Sequence, residues 1–125
     1  MLKLVLIFSG GGIGTLLRYG VNVGVKQLGG QPPVATLSVN LLGCFLIGIF
    51  VTTFPGPEAL RDEMRLALLV GLMGGFTTFS TFGLETLNMI ERQQIGLATA
   101  YVLASNLLGV AAVWLGWRIA AKALV

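Results

Sequence analysis

The residues of this chain able to do chemistry are few, and they sit inside apolar sequence. Phe79 and Phe82 stand three apart with Ser80 and Thr81 between them. On a helix that spacing stacks the two rings along one face and sets two hydroxyl donors on the adjoining faces. An aromatic ring is negative on its face and positive at its edge, so two edges aimed into a narrow passage favour an anion; as ordinary side chains they pack or face lipid. Asn40, between Val39 and Leu41, offers two amide N–H donors, either to such an anion or to a neighbouring helix. Ser105 and Asn106 add donors under the same two readings. Glu85 is a carboxylate well inside an apolar run, a functional group by default, although it lies near enough to the helix end to reach water. Arg18 has three outlets: a carboxylate partner, a vestibule wall, or snorkelling to the interface.

What is missing narrows the chemistry further. The chain has no His and one cysteine, Cys44. Zinc sites of Cys and His, a disulfide within the chain and His-dependent triads are all excluded. The glycines at 10, 11, 12 and 14 imitate a dinucleotide loop, but Thr15 stands at the third required position and the flanks are apolar. No nucleophile with its base, and no cofactor loop, survives this inspection, so the chain reads as no enzyme.

The elements that position these residues follow from composition. Of 125 residues, 55% are hydrophobic and 10% are charged. That is a multi-pass membrane protein, all-α, with one domain over 1–125. The Lys and Arg residues are scattered between apolar runs and form no stripe for nucleic acid. Spans of about 20 residues, at 1.5 Å rise each, fit at about 4–25, 35–54, 66–90 and 95–117. The first is kept as a membrane helix because no cleavage site with a soluble domain behind it is evident. Gly10 and Gly14, and likewise Gly20 and Gly24, stand four apart and suit close helix approach. Pro32 and Pro33 start the second span; Pro55-Gly56-Pro57 ends it. Glu58, Arg61, Asp62, Glu63 and Arg65 form a charged connection that faces water, and 91–94 form a short one. Trp114, Trp117, Arg118 and Lys122 anchor the fourth span at the interface.

The third span carries the contradiction. Gly71, Gly74 and Gly75, with the hydroxyls of Thr77, Thr78 and Thr81, make its middle the poorest helix former in the chain, so the helix should break near mid-membrane. Unpaired main-chain groups at that depth are tolerated only against protein, water or an ion. Freed carbonyls are the oxygen ligands a hard cation prefers, and two copies meeting on a symmetry axis double their number. With four spans both termini share a side, and Lys3, Arg61, Arg65, Arg118 and Lys122 face off against Arg18, Lys26 and Arg92. That is a weak bias, and such a chain inserts either way round.

Gly74-Gly75-Phe76-Thr77-Thr78-Phe79-Ser80-Thr81-Phe82 resembles the third-helix signature of the bacterial CrcB/Fluc fluoride channels. The resemblance extends to Gly11-Gly12-Ile13-Gly14, Arg18-Tyr19, Asn40-Leu41-Leu42-Gly43 and Glu85, and it covers the whole chain. It implies an antiparallel, dual-topology homodimer in the bacterial cell membrane, conducting fluoride passively out of the cytoplasm, with a structural sodium ion that is not transported. By position it assigns sodium to the carbonyls of Gly74 and Thr77, and the fluoride pathway to Asn40, Phe79, Ser80, Thr81, Phe82 and Ser105, with Glu85 near one end. Gly109, where some members carry another hydroxyl, departs from the pattern. A small proton-coupled multidrug exporter has similar size and span count, but it depends on a first-helix carboxylate, and 4–25 contains none. A purely structural membrane subunit would move no ion.

Overall fold

The computed structural model describes residues 1–54 and 62–124. The Pro55-Gly56-Pro57 terminator, and Glu58 and Arg61 of the charged connection, lie outside the described residues. Helix α1 runs Leu2–Gln27 and α2 runs Pro32–Thr53, the latter opening on its two prolines. A third stretch runs from Asp62 to Glu91 in pieces: α3 (Asp62–Leu66), a π-helical turn (Ala67–Leu72), α4 (Met73–Phe76) and α5 (Phe79–Glu91). Helix α6 spans Ile95–Ala123. The 4 stretches, α1, α2, 62–91 and α6, are each long and apolar enough to cross a membrane. Asp62, Glu63 and Arg65, expected in the charged connection, are already helical in α3.

Small residues set how closely these helices approach. A Cβ on Gly14 would collide with the main chain of Leu72 and Phe76, and one on Gly75 with that of Gly11. Gly10 and Gly71 meet in the same seam, so α1 lies main chain to main chain against the π-helical turn and α4. Gly71 and Gly75 are helical here. They make the seam, and the helix fails further on. Gly20 and Gly24, which share the four-residue spacing, have no neighbour among the described residues within 4 Å of an added Cβ. A second seam, formed by Gly48 of α2 against Val113 and by Gly116 of α6 against Phe45, joins α2 to α6.

The apolar core is small. Phe82, Met89, Ala98 and Tyr101 pack between α5 and α6, with Leu37 of α2 against them. Much of the large apolar surface faces outward, including Leu4, Phe8, Leu16 and Tyr19 of α1 and Leu107, Val110 and Trp114 of α6. In water such exposure would be unstable; in a bilayer it is the surface offered to lipid or another helix.

Candidate functional site

The third stretch breaks at its middle, between Phe76 and Phe79. Thr77 (φ −83°, ψ 159°) and Thr78 (φ −150°, ψ 111°) are extended. The break is built by side chains that take over main-chain partners. In an unbroken helix the Thr78 N–H would serve the Gly74 carbonyl, and the Thr81 N–H would serve that of Thr77. Instead the Thr78 N–H donates to Asn40 Oδ1 at 2.8 Å, and the Thr81 N–H donates to Thr78 Oγ1 at 3.3 Å. The carbonyls of Gly74 and Thr77 thereby lose their helical donors. Thr78 acts as the N-cap of α5, which is why that helix restarts at Phe79.

Asn40 closes the clasp from α2. Its Nδ2 donates to the Thr78 carbonyl at 3.1 Å while its Oδ1 accepts, so the amide binds both main-chain groups of one extended residue. Among the described residues its second N–H has no partner. Arg18 reaches the break from α1, its Nη1 donating to the Thr77 carbonyl at a long 3.4 Å. Arg18 thus bears on the freed main chain of the break.

Beside the clasp lies a cavity of about 300 Å³ lined by Asn40, Cys44, Phe79, Phe82, Ser105 and Asn106, among others. Ser105 Oγ is buried and without a hydrogen-bond partner among the described residues. Phe79 and Phe82 do meet, with ring centroids 5.4 Å apart and planes tilted by 40°. Their surroundings differ sharply: Phe82 is 8% exposed and packs on Tyr101 at 5.2 Å, whereas Phe79 is 83% exposed. Ser80 and Thr81 do not line the cavity. Their hydroxyls gather on Thr78, whose Oγ1 donates to Thr81 Oγ1 at 2.8 Å and lies 3.4 Å from Ser80 Oγ.

Glu85 is buried, one turn beyond both Thr81 and Phe82, and both its oxygens are held. Thr36 donates to Oε1 at 2.9 Å from α2, and Tyr101 donates to Oε2 at 2.7 Å from α6. Sequence reasoning missed Thr36 and Tyr101 as partners of Glu85. The available signal was spacing: Thr36 lies four residues before Asn40 and Tyr101 four before Ser105, so each shares a helix face with a donor already singled out. No group of three or more His, Cys, Asp or Glu side chains able to hold a metal occurs among the described residues. What the site offers a cation is main-chain oxygen.

The comparisons with known proteins agree over most of the chain. A family model described as CrcB-like protein, Camphor Resistance (CrcB), matches residues 5–117. A protein of Methylobacterium sp. (strain 4-46) named fluoride-specific ion channel FluC is 43% identical over 119 residues, 95% of this chain and 96% of that protein. One of the same name from Agrobacterium fabrum is 43% identical over 117 residues, covering 93% and 94%. A third, from Helicobacter pylori (strain HPAG1), is 40% identical over 114 residues, covering 89% and 87%. With a broken membrane-spanning stretch at the signature and a family match over residues 5–117, the chain belongs to the CrcB family.

Proposed function

We propose that this chain forms a passive, fluoride-selective channel that relieves the cytoplasm of fluoride, built from two copies inserted in opposite orientations. Relatives at about 40% identity bear the name of a fluoride-specific channel. The observation that carries the reading in this chain is the cavity beside the break. It gathers amide, hydroxyl and aromatic groups beside apolar ones, with no Lys or Arg among the described residues that line it. A small anion stripped of water in low dielectric needs fixed donors to replace its hydration, and a full positive charge there would hold it too tightly to leave. Asn40, Ser105 and the ring edges of Phe79 and Phe82 meet that need. Ser80 and Thr81, gathered on Thr78 at the subunit surface, are available to a pathway completed by the second copy. The pronounced exposure of Phe79 fits a ring that finishes its pore only when the partner arrives.

Sodium at the dimer centre is the second part of the proposal. The residues present fit it: the carbonyls of Gly74 and Thr77, whose helical N–H partners are drawn off by Asn40 and Thr78, would hold the ion with their counterparts from the second copy. Its role is to balance freed carbonyls where the two breaks meet. The main chain around it is kept open by Asn40 and the Thr78 cap, and Arg18 bears on the same Thr77 oxygen. Liposomes holding only the purified protein test the function. They should release fluoride down its gradient with no proton gradient applied, and should hold chloride. Chloride release at a similar rate, or drug transport that requires protons, would refute it.

A further inference from the structure

A cation site made of main-chain oxygen needs each carbonyl held in one direction, and Thr77, extended between two helices, has no ladder of its own to hold it. Helix α2 reaches the extended pair from two positions. Asn40 grips Thr78, and Gly43, three residues on and so on the same face, lies against Thr77. Gly43 is buried. A Cβ built on it would overlap Thr77 Cγ2, whereas the Phe76 ring, with Cδ1 at 3.6 Å, would be in ordinary contact. The bare Cα of Gly43 is therefore a socket for the Thr77 methyl group. The other branch of Thr77 is tied back to α4: its Oγ1 donates to the Met73 carbonyl at 2.9 Å, and its N–H donates to the same oxygen at 3.0 Å. A β-branched side chain has few settings of χ1, so the methyl group cannot leave the socket by rotation without breaking the Oγ1 bond. If the bond is kept, the main chain of Thr77 must move, and its carbonyl oxygen moves with it. The Arg18 contact to that oxygen, at 3.4 Å, is too long to hold it in place.

We propose that Gly43 is a positioning residue for the cation site: it receives the Thr77 methyl group and so fixes the direction of the Thr77 carbonyl. The inference rests on the sodium reading and adds to it the α2 residue that aims one of the two ligands. Groups that orient a metal's ligands without touching the metal change its affinity about 10–100-fold when they are altered. Gly43 acts in this way through shape alone.

The test is a titration with sodium chloride. Purified protein is first exchanged into a large organic cation, N-methyl-D-glucamine, and sodium is returned at constant ionic strength while the melting temperature is followed. Gly43 also lines the cavity beside the break, so sodium response and not fluoride flux is the reading taken. Gly43→Ala should raise the sodium concentration at half-response about tenfold or more. The same substitution in a Thr77→Ser background, which keeps the hydroxyl and lacks the methyl group, should raise it less than about twofold. An unmoved half-response in Gly43→Ala would overturn the inference, even with a lower melting temperature, because that pattern is general damage. An equal rise in both backgrounds would overturn it too, since the conflict would then lie elsewhere than the methyl group. Should Gly43→Ala fail to fold, the double variant decides: a sodium response like that of Thr77→Ser supports the socket, and a protein that is unfolded or deaf to sodium refutes it. A wild-type protein whose melting ignores sodium removes the sodium site itself and this inference with it, whereas a result against Gly43 alone leaves that site standing.

Discussion

Two phenylalanines three residues apart, Phe79 and Phe82, look equivalent in the sequence and are not equivalent in the fold. Phe82 is core, against Tyr101, whereas Phe79 stands free. We therefore predict that Phe82→Ile destabilises the subunit by about 1–3 kcal/mol, through lost ring packing and altered shape, as well as reducing fluoride flux. Phe79→Ile should reduce flux with the melting temperature and the dimer unchanged. Full flux in both variants would remove the rings from the pathway. Asn40→Leu takes away the clasp on Thr78 and leaves two main-chain groups without partners, at about 1–3 kcal/mol each if they stay dry. Flux and thermal stability should fall together, and full conduction would reduce Asn40 to a structural tie. The roles of Thr36 and Tyr101 were hidden in the sequence because a threonine and a tyrosine in apolar helices have many ordinary uses. Only the pairing of Glu85 with both hydroxyls, across three helices, makes them partners. Tyr101→Phe, which strands Oε2 in a buried setting, should lower stability by about 1–3 kcal/mol in a thermal melt; an unchanged melt would mean that water replaces the phenol.

At the scale of elements, the break in the third stretch was readable because glycines and threonine hydroxyls weaken a helix and compete for its main-chain partners, whereas the part of Asn40, which takes the Thr78 N–H, came only with the fold. Its position was less readable than its existence. Glycines drew attention to 71–75, yet those residues remain helical, and the extended pair is Thr77-Thr78. Nor did the spacing of glycines tell which of them form a seam: Gly10 and Gly14 meet another main chain, while Gly20 and Gly24 meet none among the described residues, and tertiary placement alone separates the two pairs. The contrast is testable by mutation. Gly14→Ala should push α1 off α4 and cost stability by at least about 1–3 kcal/mol, because the atoms in the way are main chain and cannot rotate aside. Gly24→Ala should leave the subunit's fold unaltered. A Gly14→Ala protein as stable as wild type would show that the seam is looser than the structure has it.

For the whole molecule, the four-span architecture was legible from the lengths of apolar sequence, whereas the proposed assembly rests on what one subunit leaves unfinished. Helix α1 turns Leu4, Phe8 and Leu16 outward, Phe79 stands exposed, and the carbonyls of Gly74 and Thr77 lack their helical donors. The near balance of basic residues between the two sides suits insertion in both orientations. A second, inverted copy would cover that surface, complete the pathway and double the carbonyls around a sodium ion. The most direct measurement is an experimental structure of the purified protein in lipid with sodium present. The account predicts two antiparallel subunits, with an ion on the twofold axis coordinated by the Gly74 and Thr77 carbonyls of both chains. A parallel pair, a continuous helix through Thr77 and Thr78, or an antiparallel dimer whose axis holds no ion at those oxygens would contradict it.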